Sequence, residues 1–271
     1  MGDAASDRDK IVDATLMIGW YGRIVRHPWL SPDWAEEDMY SLFAAGAEAM
    51  GWSSSGPGDD DGLWGMNDAG QDRAGGATTR LAWFQVGLPT HRAGGPRPLP
   101  LQPLATCSWD AVARIGDVAA DGVQFLVPLQ LAGPSAGRLE AGLNPFHAAD
   151  PAARTAATVT VDTGSNDIGR RRAKDLLEGM AALRTGPFRV TGPVRIAPTV
   201  DAPQPPLVGD MWMGPSRHPV EFDADLPEWT PDALGWLALL VAEGARRAGI
   251  ATTALVGISR EGAAGPGGRR R

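Results

Sequence analysis

Between residues 157 and 258 the chain switches repeatedly between a two-residue and a 3.6-residue hydrophobic period, with turn and capping residues at the joins. This alternation restricts the fold more than any other feature. Val159 and Val161 alternate with Thr158 and Thr160, which predicts a strand over 157–162. Ser165 or Asn166 can cap a helix reaching about residue 184, with Ile168, Leu176, Leu177, Met180 and Leu183 on one face. Phe188, Val190, Val194 and Ile196 share one parity of a second strand, and Pro193 assigns it to an edge or a bulge. After a proline-rich loop over 198–206, residues 207–213 read as a strand. Val220, Phe222 and Ala224 then alternate with the acidic Glu221, Asp223 and Asp225. Thr230, Pro231 and Asp232 form a helix start, with a cap, a proline at the first turn and a charge that complements the dipole. Gly249 stops that helix, and a last strand covers 251–258.

The resulting order, strand–helix–strand–strand–helix–strand, predicts an α+β fold with a ferredoxin-like βαββαβ unit in the second half. The first half reads the same way, with strands at 14–24, 79–88 and 123–131 and helices at 32–51 and 109–120. Its missing strand would be the proline-rich 99–106, which could serve only as an edge. Element order therefore predicts a duplication, a tandem α+β sandwich or barrel. The expected boundaries are a flexible 1–9, a first half over 10–131, a linker over 132–156, a second half over 157–260 and a disordered tail over 261–271. The loop 53–78 is long enough to be a lid or a disordered segment.

With 25 Lys and Arg against 32 Asp and Glu, the formal net charge is −7, which disfavours a nucleic-acid partner. The clusters Arg170–Arg172 and Arg269–Arg271 read as solvated decoration. A single cysteine, Cys107, excludes an internal disulfide and fits a reducing, cytoplasmic setting. No apolar run approaches the length of a membrane span, and the start of the chain does not read as a signal peptide. Abundant Ala, Gly, Arg and Pro with few Lys suggest a GC-rich bacterial coding sequence.

Chemistry is less legible. The string Val159-Thr160-Val161-Asp162-Thr163-Gly164-Ser165 resembles the hydrophobic-Asp-Thr-Gly-Ser signature of aspartic proteases, in which two such loops face each other. The resemblance implies a catalytic carboxylate at Asp162. It spans seven residues, and no second Asp-Thr-Gly occurs. The same residues also read as a strand-end turn that caps a helix. His27 and His218 each precede a proline after a predicted strand, while His91 and His147 have no such context. No metal-ligand or phosphate-loop spacing is present, so no metal and no cofactor is expected. The acidic stretch of Asp59, Asp60, Asp61, Asn67, Asp68 and Asp72 lacks the EF-hand spacing and reads as a solvated loop. Cys107 precedes a predicted helix without an assignable base.

Ten tryptophans against two tyrosines suggest core anchors or pocket walls. The first expectation is a small apolar or aromatic ligand, bound or converted without a cofactor as in bacterial specialised metabolism. His27, His218, Asp162 and Asp223 are its titratable candidates, and Trp20, Trp83 and Trp212 its walls. The alternative is a non-catalytic module docking a protein partner or a second copy through its aromatics.

Overall fold

The computed structural model describes residues 14–30, 37–54, 62–71, 79–89, 96–148, 150, 152, 154–183, 185–196 and 203–261. In chain order the elements are β1 (Thr15–Arg26), α1 (Glu37–Ala49), β2 (Gly65–Gly70), β3 (Thr79–Gly87), α2 (Leu101–Ala113) and β4 (Gly116–Pro128). There follow α3 (Ala136–Leu143), β5 (Thr155–Asp162), α4 (Ile168–Arg171), α5 (Ala173–Ala181), β6 (Arg189–Arg195) and α6 (Asp210–Met213). The last three are β7 (Val220–Leu226), α7 (Pro231–Arg247) and β8 (Thr253–Arg260).

The fold is α+β. All eight strands join one antiparallel sheet in the order β2-β3-β1-β4-β8-β5-β7-β6. The first four strands lie on one side of the seam and the last four on the other. The seam itself is the β4–β8 pairing, from Gly122↔Ser259 to Pro128↔Thr253.

Strand parity sorts the side chains into two layers. Leu16, Ile18 and Trp20 of β1, Val123, Phe125 and Val127 of β4, and Ala254, Val256 and Ile258 of β8 enter the main core. Residues of α1, α2, α3, α5 and α7 close that core from above. On the other face a smaller cluster joins Met17, Leu126 and Leu255 to Leu207, Val208 and Met213 of the β6–β7 connection.

The sequence marks α7 most clearly. The Thr230 hydroxyl accepts a hydrogen bond from Ala233 N at 3.3 Å, Pro231 opens the helix, and Gly249 follows it at φ +72°. At its N-terminus α7 meets α2, where Gln102 Nε2 donates to Asp232 Oδ1 at 2.6 Å. A Cβ on Gly235 would stand 2.5 Å from Gln102 Cα, so glycine lets the helix axes approach there. Gly235→Ala is therefore expected to cost about 1–3 kcal/mol through overpacking, seen as a lower denaturant midpoint with an unchanged slope.

Several expected elements are corrected. The proposed edge strand over 99–106 and helix over 109–120 are replaced by α2, which begins at Leu101, and by β4, which begins at Gly116. The prolines caused the misreading, since Pro100 and Pro103 fall at the cap and in the first turn, where no N–H bond is lost. The fourth strand of the first half is instead β2, inside the expected loop 53–78. The segment 207–213 is bends followed by the short helix α6, with no strand. The expected helix over 165–184 breaks at Arg172 into α4 and α5. Within 132–156 lies α3, whose Leu139 and Leu143 are buried in the main core. Pro193 does lie on an edge strand, where the β6–β7 register slips between Thr191 and Arg195. The flanks 1–9 and 262–271, the start of the helix expected over 32–51 and most of the acidic loop lie outside the described residues.

Candidate functional site

Asp162 ends β5, where the sheet parity turns its side chain away from the main core. The carboxylate is only 6% exposed, so it needs donors, and three converge on it. Arg217 Nε donates to Oδ2 at 2.6 Å, and the main-chain N–H groups of Gly164 and His218 donate to Oδ1 at 2.8 and 3.2 Å. Thr163 Oγ1 bonds Asn166 O and accepts from Gly169 N at 3.2 Å, fastening the turn to the start of α4. Asp162 is thus the centre of a strand-end corner, and its tie to His218 runs through the histidine's backbone. Arg217, which completes the corner, stands next to His218 in the Arg-His-Pro string, but its role is not readable there.

On β7 the polar parity carries a second cluster. Arg195 of β6 reaches across the edge, its Nε and Nη2 at 2.9 and 2.7 Å from Glu221 Oε1, and its Nη1 and Nη2 at 2.5 and 2.6 Å from Asp223. The hydrogen bonds it donates to Asp223 and Glu221 hold the guanidinium pKa further above its ordinary value. The bond from Arg195 in turn lowers that of Asp223. Asp223 sits opposite Thr158 and Asp162 opposite Leu255, so about four strand residues, roughly 13 Å, separate the two acids along β5.

His27 follows β1 and His218 precedes β7. Four antiparallel pairings link those strands, so they run in the same direction and the two histidines occupy opposite ends of the sheet. His27 stacks on Trp29 at 5.3 Å, with Trp29 72% exposed. His147 lies in a short 3-10 helix, Asn144–Ala148, and His91 lies outside the described residues. Among the described residues no group of three or more His, Cys, Asp or Glu side chains could hold a metal ion. No helix there is long and apolar enough to cross a membrane. Arg171 and Arg172 form exposed pairs with Asp167 and Asp175, both at 2.9 Å. Cys107 is buried, and burial together with the nearby Asp110 charge pushes its thiol pKa up to about 12.

The three tryptophans divide between the faces. Trp20 is fully buried beneath the helices, its Nε1–H donating to Ser108 Oγ at 2.9 Å. Trp83 and Trp212 are half-buried on the other face and border the smaller cluster around Leu207. That face also carries Tyr21, Gln124 and Arg80, which grip the β6–β7 connection. Sequence reasoning passed over all three, although an amide inside the apolar run of β4 was a visible signal.

A cavity of about 460 Å³ opens at the far edge of the helical layer, between α5, α7 and β6. Met180, Phe188, Val190 and Leu240 supply its apolar wall, and Thr185, Thr191 and Arg189 its polar groups. None of the titratable candidates lines it. No family model, curated protein or solved structure matches the chain.

Proposed function

We propose that the chain is a tandem pair of ferredoxin-like units that binds a small apolar or aromatic molecule without converting it. The duplication is supported by strand order. The crossover from β5 to β6 skips β7, and that from β7 to β8 skips β5. In the first half the path from β1 to β2 skips β3, and that from β3 to β4 skips β1. Both halves thus carry the split βαβ connection twice.

The observation that carries the binding reading is the cavity of about 460 Å³, an apolar wall with a few polar groups at the size that ligand sites take. Against catalysis stands the spacing of the candidates, with His27 at the opposite end of the sheet from His218 and Asp223 roughly 13 Å from Asp162 along β5, since acid/base work needs groups within reach of one substrate atom. The anionic fluorophore 8-anilinonaphthalene-1-sulfonate suits the site, with its rings on the Phe188 wall and its sulfonate towards Arg189. A saturable rise in its fluorescence is expected in the folded protein, weakened about tenfold or more in Val190→Trp, which fills the cavity. Equal binding by a Val190→Trp variant of unchanged circular dichroism would remove this reading. A docking module remains the second reading, favoured by Trp29, which offers an exposed indole stacked on His27.

A further inference from the structure

Within the connection from β6 to β7, residues 203–208 lie against the strands on the sheet face opposite the main helical layer. Three side chains from three strands hold this segment, and each addresses its main chain. Gln124 of β4 uses both ends of its amide, Nε2 donating to Pro203 O at 3.0 Å and Oε1 accepting from Leu207 N at 2.7 Å. Arg80 of β3 donates from Nη1 to Leu207 O at 3.1 Å. The Tyr21 hydroxyl of β1 lies 2.9 Å from Pro205 O and 2.8 Å from Gln124 Oε1, and it donates to one of them at a time.

Beneath the segment the sheet is cut away to receive it. A Cβ on Gly19 would stand 2.8 Å from Leu207 Cδ1, and one on Gly122 would stand 2.9 Å from Pro203 Cγ. Gln124 is 1% exposed and Tyr21 fully buried, and both would be costly to leave unpaired under an apolar cover. The face is therefore built around this bent segment. What it reads is a main-chain trace plus two shapes, a proline ring and a leucine, with no charge among Pro203, Gln204, Pro205, Pro206 and Leu207. Main-chain hydrogen bonds for affinity and shaped sites for particular side chains are the division of labour found in peptide recognition. None of these contacts depends on how the segment is joined to β6.

We propose that this face is a recognition groove for an uncharged, bent peptide segment of the Pro-x-Pro-Pro-Leu kind. The chain fills it in cis with residues 203–207, and a partner protein presenting such a segment binds by displacing them. Occupation in cis makes the site self-inhibited, because the incoming peptide must compete with a tethered copy of itself.

The test uses the full chain with residues 203–208 replaced by Gly and Ser at equal length, titrated with a fluorescent peptide Ala-Pro-Gln-Pro-Pro-Leu-Val-Gly. Saturable binding is expected in this variant and about tenfold or more weaker binding in the wild type. Adding Gln124→Ala to the variant should weaken binding about tenfold, since two main-chain bonds are lost. If the Gly-Ser chain does not fold, amide exchange of the wild type decides, because peptide in excess should speed exchange at Leu207 N as the cis segment leaves. No binding by a folded variant, equal binding with Gln124→Ala, or unchanged Leu207 exchange would each overturn the proposal. So would a wild-type dimer that forms by exchanging these segments and takes up no peptide.

Discussion

Trp20→Ala is expected to destabilise the protein by about 3–5 kcal/mol, the range for deleting a large aromatic from a packed core. The indole is fully buried, packs edge-on against Trp109 at 4.9 Å and ties β1 to α2 through Ser108. Trp20→Phe should cost less, because much of the apolar area stays and the Ser108 hydroxyl keeps a partner in Ala105 O at 3.1 Å. Urea unfolding followed by circular dichroism separates the two variants. A Trp20→Ala protein within about 1 kcal/mol of the wild type would mean that the indole stands as a pocket wall and not as core.

Glu243→Ala should lower stability by about 2–3 kcal/mol, below the full cost of breaking a buried pair because its two arginines keep a third of their surface in water. The carboxylate has no exposure at all. It accepts from Arg246 at 2.9 and 2.8 Å, from Arg247 at 2.9 Å and from Ser135 N at 3.0 Å, so it fastens the start of α3 to α7. Burial pushes its pKa up, but the hydrogen bonds from Arg246, Arg247 and the Ser135 amide outweigh this and hold it below the ordinary 4.5. A lowered folded pKa means that the stabilisation is complete above the unfolded value and is lost as pH falls through the folded one. The gap between wild type and Glu243→Ala should therefore be constant near neutrality and close only as the pH drops below about 4.5. A gap that stays constant down to pH 3 would rule out an ionised Glu243 as its source.

The sequence was readable where local chemistry and burial agree. Thr230, Pro231 and Gly249 bounded α7 closely because capping is a local event. Val159, Val161, Phe222 and Ala224 marked their strands because one face is buried. The parity that places Leu16 and Ile18 in the core also placed Trp20 there, so its separation from Trp83 was available in the strand pattern. By contrast, β2, Gly-Met-Asn-Asp-Ala-Gly, has neither alternation nor β-branched residues, and only its neighbour β3 makes it a strand. The site was harder still. Arg80, Tyr21 and Gln124 meet at residues 203–207 across 79 or more positions of sequence, and of the three only Gln124, an amide in an apolar run, stands out on its own strand. Asp162 and Asp223 were nominated from the chain, but the arginines that neutralise them come from other segments.

The seam of the sheet also sets an order of assembly. β8 lies between β4 and β5, although it is made about 90 residues after the second of them. A ribosome-bound chain that has released everything up to α7 therefore carries two open strand edges facing an empty slot, each able to pair with another nascent chain. Release of residues 253–260 closes both edges at once and joins two half-sheets into one, which makes β8 the keystone of the fold.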